Sequence, residues 1–459
     1  MADVIIKNGL IMTCEPDVLT GAVYPGGALA VTGNTITDIG PTEEVLKRNP
    51  GAGKVIDADG RVVMPGFIIT HTHMPYVLGH NQPVDVSQLR SFWDMLQKMG
   101  WEWLEDLMTG EGIYAATRYA AVKMMKSGTT TVCDLVEAPA ALPGPLTYSA
   151  KALEEAGIRA QVGYEVTERI PGVSILEKLD PAMAAKGFEE NLAFLEKYSA
   201  AGGRISGRLG VHTAYTNSFE TLKEARRLAD AHGCGIQIHI AEIPRAFLVE
   251  KYGKSAPAVL EECGLLGPDV VAAHCIDLDD EDMNILQRNK VNVVHTPMTN
   301  SLGGNGVARI PEMLDRGMNV SLGHDCFFTL DTAEYIRYNY LVHKIHNANP
   351  ALIPPFQALD MVLGNAARAL GREQEIGSLK KGKKADILII NPDSPSPTTP
   401  ASLMSYFTMT FQGSHVETVL VDGRVVIQGR TSTLLDEDEL RRECVRQAAD
   451  LWRRNGIEV

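Results

Sequence analysis

Seven histidines and one aspartate occupy equivalent places in this chain, each closing an apolar, strand-like run. They are His71 and His73, His212, His239, His274, His295 and His324, with Asp325 beside the last. The chain has twelve histidines in all, so most of them fall at such run ends. A lone imidazole there is ordinarily a hydrogen-bonded packing residue. Buried imidazoles each need a partner, however, and six runs that end alike call for a shared one. A metal ion is that partner. In His71-Thr72-His73, alternation along a strand turns both imidazoles to the same side. These two, a third nitrogen from His239 and the carboxylate of Asp325 suit one borderline divalent ion such as zinc. The open position takes water, whose pKa the ion lowers toward ~7, so that hydroxide is available at neutral pH. A second metal would need a bridging group such as a carboxylated lysine. The run Gly207 to His212 carries no lysine, which favours one metal.

Glu242 follows His239 by three residues. It is placed to take a proton from the water and pass it to a leaving nitrogen; a helix-capping carboxylate is the bland alternative. His274 either hydrogen-bonds the attacking oxygen and the developing charge or serves as a fourth metal ligand. His212 and His295 face substrate or support the ligands from behind. His324 does either, or packs.

These side chains need a scaffold that gathers strand ends. The runs Val62 to Ile69, Thr129 to Val136, Ala160 to Val166, Ile205 to Val211, Gly235 to Ile240, Val270 to Ala273, Val291 to Val294 and Asn319 to Leu322 read as strands. Helical patterns lie between them, among them Ala115 to Lys126, Leu146 to Ala156, Phe219 to His232 and Asp279 to Arg288. Eight strands alternating with helices predict an α/β fold, a (β/α)8 barrel, whose catalytic groups stand at the C-terminal strand ends. Both chain ends are instead rich in short strands: Val4 to Lys7, Gly27 to Val31, Thr35 to Ile39 and Lys54 to Asp57, then Ala385 to Ile390, Val416 to Val421 and Arg424 to Gln428. They predict a small β-sandwich domain built from 1–61 and 380–432. The barrel then spans 62–379, and 433–459 closes the chain with a helix over Leu435 to Arg454. Pro392 to Pro400 reads as a surface loop.

Composition excludes several classes of partner. The 459 residues carry a net charge of -14, which disfavours nucleic acid. No run of about 18 apolar residues predicts a membrane span, and the N-terminus lacks a signal-peptide layout. Seven cysteines, an odd number without a CxxC pair, predict a reduced, cytoplasmic protein. Cys326 follows a proposed ligand; most of the others read as small buried hydrophobes.

The segments MPGFIITHTH (64–73), SGTTTVCD (127–134), GVHTAYTNS (210–218), IHIAE (238–242), AAHC (272–275), HTPMTN (295–300), LGHD (322–325) and NAARALGREQEIGSLKKGKKADILII (365–390) occur in this order. Together they resemble the amidohydrolase superfamily in its cytosine/guanine-deaminase-like branch, which holds methylthioadenosine/S-adenosylhomocysteine deaminases, s-triazine hydrolases and guanine-type deaminases. The resemblance covers nearly the whole chain. It implies a deformed barrel with a β-sandwich from both ends, and zinc, less often iron, on His71, His73, His239 and Asp325. It also implies proton handling at Glu242, His274 and Asp325, substrate contact at His212, and a homodimer or higher homo-oligomer. The chain departs from the branch at Val77-Leu78-Gly79-His80, where a Leu-x-Arg-Gly-like stretch is usual. It departs again at Gly323-His324-Asp325, where Gly-Thr-Asp is usual, and at His295 to Asn300, usually His-x-Pro-x-Ser-Asn.

Residues Met74 to Leu107 form a long excursion after the first barrel strand, rich in aromatics and methionines. Excursions at a catalytic mouth serve as lids or substrate walls, and Trp93 and His80 are the substrate contacts expected from it. Phe327 and Phe328 either narrow the pocket or pack in the core. The expected activity is that of an aminohydrolase acting on a small N-heterocycle, with metal-activated hydroxide displacing ammonia. The same site would serve an amide, a urea or a heteroaromatic carbon–halogen bond. A non-catalytic relative would be expected to have lost ligands, and here the set is complete.

Overall fold

The computed structural model describes residues 2–199, 203–326 and 328–459. Eight parallel strands form the barrel: Phe67–Thr72, Thr129–Val136, Arg159–Val166, Leu209–Val211, Ile236–Ile240, Val270–His274, Asn292–His295 and Val320–Leu322. Every residue in them is buried. That is why they read as continuous apolar runs rather than alternating ones: helices cover their outer faces. The ring closes between the first and last strands near the catalytic rim. The amide of His73 donates to the Asp325 carbonyl (3.0 Å), and that of His324 to the His71 carbonyl (3.0 Å). Lower down, the Thr70 and Ser321 hydroxyls meet at 2.7 Å.

Two expected strands divide. Ile205 to Val211 becomes Ile205–Gly207, which pairs beside the third strand, and Leu209–Val211, which continues the ring. Val62 to Ile69 also splits, because Val62–Pro65 pairs with strands of the other sheet and only Phe67–Thr72 joins the barrel. Gly66 is the joint. A Cβ there would overlap the Thr130 side chain, so the close crossing of the two sheets demands glycine.

Among the described residues the second sheet has nine strands and is drawn from both chain ends. Its hydrogen-bonded order runs Thr431–Ser432, Arg424–Gln428, Val416–Val421, Ile387–Ile390, Val62–Pro65, Val4–Met12, Val23–Thr32 and Thr35–Pro41, with Lys54–Asp57 alongside Val4–Met12. Period-two alternation sorts its faces. Ile6, Leu29 and Val31 share a core with Ile387, Ile389 and Leu420 from the far end of the chain, while Ile5, Ala28 and Ala30 pack with Val45 of the helix Thr42–Arg48. The sheet therefore curls round its inner core, with the bridge Thr35 to Lys384 joining the strand Thr35–Pro41 to the segment that leads into Ile387–Ile390. The closing helix, Glu437–Arg454, lies against Gly110–Lys126, and Arg118 Nη1 reaches Glu443 Oε2 at 3.0 Å. No helix among the described residues is long and apolar enough to cross a membrane.

One buried ion pair ties the sheets together. Arg159, which opens the third barrel strand, is 1% exposed and donates to both oxygens of Asp386 (2.7 and 3.0 Å) and to Asp422 (2.8 Å). The Asp386 carboxylate also accepts the Asp422 amide at 2.7 Å. Removing one partner of such a pair leaves a buried charge uncompensated, which costs about 3–5 kcal/mol. Asp386→Ala is expected to lower the unfolding free energy by about 3 kcal/mol or more, read from the urea midpoint of the metal-loaded protein.

Candidate functional site

The strand ends bring four ligand-type side chains to one point. Donor atoms of His71, His73, His239 and Asp325 all lie within 4.8 Å of one another, and all four residues are buried. Asp325 Oδ1 stands 3.2 Å from His71 Nε2 and 3.4 Å from His73 Nε2. Second contacts orient two of the imidazoles. His73 Nδ1–H donates to the Leu135 carbonyl (2.7 Å) and His239 Nδ1–H to the His212 carbonyl (3.1 Å). Both rings therefore present Nε2 lone pairs to the centre, where they face each other at 3.3 Å. Two lone pairs that close repel unless a cation lies between them. The donor set thus fits a divalent ion held by three nitrogens and one carboxylate oxygen.

The electrostatics match. Burial pushes His71 down to about 4 and His239 well below its ordinary range, so both are the neutral imidazoles that a metal binds. Burial also opposes the charged form of His73, but Asp325 outweighs it and raises the pKa. At Asp325 burial favours the acid, yet His274 and the hydrogen bonds from His71 and His73 hold the carboxyl well below its usual value. Backbone geometry aims the last two groups. His274 (φ 73°), the last residue of its strand, and Asp325 (φ 59°), which follows Leu322 after Gly323 and His324, both adopt the left-handed region, at a cost of about 1–2 kcal/mol each. Strain of this kind persists where surrounding contacts fix it, characteristically at functional sites.

Glu242, His274 and Asp325 enclose a gap beside this centre. His274 Nε2 lies 3.5 Å from Glu242 Oε2 and 4.0 Å from Asp325 Oδ2. The His274 ring is set by Nδ1–H donating to Asn300 Oδ1 (2.9 Å), with Thr296 Oγ1 also at 2.9 Å. Glu242 is 5% exposed, and its Oε1 accepts from the Tyr215 hydroxyl. Burial raises its pKa against the opposing pull of His274 and Tyr215.

The other predicted contacts separate. His212 lies at the site: its ring meets that of His239 at 5.4 Å, Nδ1 pairs with Thr216 Oγ1 (2.7 Å), and burial drives its pKa to about 3. Trp93 walls an adjoining outer cavity of about 770 Å³ and stacks on Phe247. His295 and His324 lie outside both the inner and the outer cavity, and of the alternatives expected for them packing, foreseen for His324, describes both. His295 Nε2 pairs with His343 Nε2 at 3.1 Å, and the His324 ring stacks on Tyr335 at 4.0 Å with Nε2 near Thr332 Oγ1 (3.2 Å). Both are packing histidines of the kind that any apolar run can end in. His80 lies outside both the inner and outer cavities, in the excursion, with the Phe328 backbone as its partner. Phe327 lies outside the described residues.

The inner cavity, about 30 Å³, is lined by His73, His239, Glu242, His274, Asp325 and further groups. It adjoins the outer cavity through Phe92, Met95 and Glu242, which line both. The excursion supplies much of this wall as short helical turns, including Phe92–Met95 and Leu96–Glu102. Sequence reasoning missed Tyr215, Asn300 and an acidic group comprising Glu105, Glu137 and Glu165 round Arg169. A signal existed for the last: Glu137 directly follows the second barrel strand and Glu165 sits near the end of the third.

Loading the chain with Zn2+ as a probe ion, at about 100 times its dissociation constant, is expected to add about 2.7 kcal/mol of stability. Calorimetry should show this as a raised melting temperature and metal analysis as one equivalent per chain; His239→Ala should lose both.

The Amidohydrolase family profile matches residues 62–426. A 5'-deoxyadenosine deaminase of Methanosarcina mazei is 35% identical over 457 residues, covering 98% of this chain and 99% of the relative. A 5-methylthioadenosine/S-adenosylhomocysteine deaminase of Pelotomaculum thermopropionicum is 33% identical, covering 99% and 100%. Among solved structures, an adenosine deaminase from Xanthomonas campestris with bound zinc superposes with a TM-score of 0.85 at 21% identity, covering 98% and 99%. Zinc-bound atrazine chlorohydrolase from Arthrobacter aurescens does so with 0.83 at 19%, covering 97% and 100%. The two structural likenesses concern the fold; with the profile match and relatives that span its whole length, this chain belongs to the amidohydrolase family.

Proposed function

We propose that the chain is a zinc-dependent deaminase that releases ammonia from an amino-substituted N-heterocycle, with purine nucleosides of the 5'-deoxyadenosine type as the first candidates. The observation that carries this reading is Glu242: a buried carboxyl, raised in pKa, set against the same gap as His274 and Asp325. Amines leave poorly from carbon unless protonated, so this chemistry needs an acid poised near neutrality. The full-length relatives called deaminases support the same choice.

A bound divalent ion supplies Lewis acidity and makes water acidic enough to ionise near neutral pH. The chain's residues do the rest. With Nδ1–H donating to Asn300, His274 keeps a lone pair on Nε2 and holds the attacking water by accepting its hydrogen. Asp325 Oδ2, on the other side of the gap, orients the same water and takes its proton. Glu242 gives its proton to the ring nitrogen adjoining the attacked carbon, recovers one from the hydroxyl of the adduct as the carbonyl forms and passes it to the departing amine; the proton that Asp325 took from the water then restores Glu242. The Tyr215 hydroxyl fixes Oε1, which leaves Oε2 turned toward His274 and the gap. Trp93, Phe247 and Ile243 offer the outer cavity apolar walls for the remainder of the substrate.

We further read the chain as cytoplasmic and homo-oligomeric. The cysteines are all free, as in a reducing compartment. Leu341 and Ile345, one turn apart on the helix Thr332–His346, are 49% and 82% exposed, a surface that a second copy would cover.

Ammonia release from 5'-deoxyadenosine and from a panel of aminopurines, aminopterins, aminopyrimidines and aminotriazines tests the proposal. Cleavage of amides or ureas with no ammonia from the panel would replace it. In Glu242→Gln the metal should remain at one equivalent while kcat falls by about 10²–10⁴-fold; near-full activity would remove Glu242 from the proton path.

A further inference from the structure

The inner cavity, about 30 Å³, has room for about one or two water molecules. An amino-substituted heterocycle is several times larger, and ligand pockets ordinarily run to hundreds of cubic ångströms. The outer cavity, about 770 Å³, is ample. Phe92 and Met95, both buried, stand between it and the gap enclosed by Glu242, His274 and Asp325. In this conformation the site is closed to a substrate of the kind its chemistry suits.

The excursion that carries these two residues is fastened unevenly. Its start is tied by the Met74 amide, which donates to Asp134 Oδ1 (2.8 Å). Its end is tied several times. Asn455 Nδ2 donates to the Trp103 carbonyl (2.9 Å), Arg454 Nη1 to the Leu107 carbonyl (3.1 Å), and Arg169 to Glu105 (3.2 Å) and Asp106 (2.7 Å). Among the described residues, no hydrogen bond or ion pair joins 91–99 to anything outside the excursion. The polar contacts of this segment are local, as where the Asp94 amide donates to Ser91 Oγ (3.1 Å) and the Arg90 amide to Asp94 Oδ2 (3.0 Å). Apolar contact holds it down: Trp93 stacks on Phe247 with centroids 5.9 Å apart and meets Tyr215 at 6.1 Å. The turn Leu96–Glu102 is π-helical, a rare geometry that is frequent at functional sites. Segments fastened so lightly open at the least cost.

Phe92 also has a seat. A Cβ at Gly303 would come 2.6 Å from Phe92 Cδ2, so the ring takes the space that a side chain there would fill. The Gly303 backbone is in the ordinary right-handed region (φ −72°), so its turn does not itself demand glycine. The loop that holds the seat is fixed to the catalytic side, because Asn305 Nδ2 donates to the Glu242 carbonyl (2.9 Å).

We propose that residues 91–99 form a gate. The segment lifts from Phe247 and Gly303 to admit the heterocycle to the gap beside the metal centre, then returns Phe92 and Met95 over it. The assignment rests on the deaminase reading for what enters and on the metal centre for where it goes. The end of the excursion, held by Arg169 and the C-terminal helix, is the fixed side against which the gate moves. Closure takes bulk water away from the reacting centre, as lids over other catalytic sites do. Glycine at 303 lets the Phe92 ring close fully.

The test reads access to the metal in cobalt-substituted protein, from the change in visible absorption on rapid mixing with imidazole, a ring-sized ligand, or cyanide, a small one. Imidazole is expected to bind the unaltered protein, and to do so at least about tenfold faster in Gly303→Ala, whose Cβ displaces the Phe92 ring, and in Phe92→Ala. The association rate of cyanide should stay within about twofold throughout, since a small ligand needs no such opening. Equal imidazole rates in the unaltered protein and both variants would overturn the proposal. So would imidazole binding to the variants alone, because Phe92 would then be a fixed wall. Gly303→Ala keeps every buried side chain and decides the matter should Phe92→Ala fold poorly. Binding is read here without turnover, so a failure to release ammonia would count against the deaminase reading and not against the gate.

Discussion

Everything in this molecule depends on holding four unlike donors, three imidazole nitrogens and one carboxylate oxygen, within a few ångströms of one another in a buried place. Left to themselves such groups disperse: each prefers water, and lone pairs that face each other at 3.3 Å, as on His73 and His239, repel. A closed ring of parallel strands overcomes this. It directs the C-terminal ends of all eight strands to one rim, and its hydrogen bonds prevent any one ligand from backing away alone. The closure itself passes through the ligands. The backbone of His71 and His73 bonds to that of His324 and Asp325, so the last seam of the barrel and the metal centre are one structure.

The remaining architecture follows from that requirement. The first barrel strand must begin close beneath its neighbour, and Gly66 permits the crossing at which the chain leaves one sheet for the other. The second sheet gathers both chain ends over the barrel's entry side. Arg159 joins the two by an ion pair that spans more than two hundred residues of sequence. Left-handed turns at His274 and Asp325 then redirect side chains that a regular strand would have carried past the centre.

How much of this was legible depended on whether a feature was local. The barrel strands are buried on both faces and so read as apolar runs; Thr129–Val136, Val416–Val421 and Arg424–Gln428 coincide with expectation to the residue. The predicted ligands His71, His73, His239 and Asp325 do meet, because strand-end position is a property of sequence order. What strand-end position does not carry is direction. His295 and His324 end strands just as His239 does, yet one pairs with His343 and the other stacks on Tyr335, partners from a helix that no strand pattern announces. Likewise Val62 to Ile69 is one run chemically and two strands in space, since pairing partners, not residue types, decide which sheet a strand joins. The acidic group round Arg169 escaped notice because its members come from three separate segments.

These two layers of legibility correspond to two kinds of chemistry. The groups of the metal centre and the gap beside it stand at or just past barrel strand ends, where the ring fixes them. The groups beside them are a mixture: Glu165 is strand-borne, but Glu105, Trp101 and Phe92 come from the excursion between the first strand and its helix. Substrate choice in such a barrel therefore varies where loops meet strand ends. An apolar wall tells isosteres apart weakly, by about 1–3 kcal/mol per methylene, whereas a buried polar group left without its partner rejects them strongly.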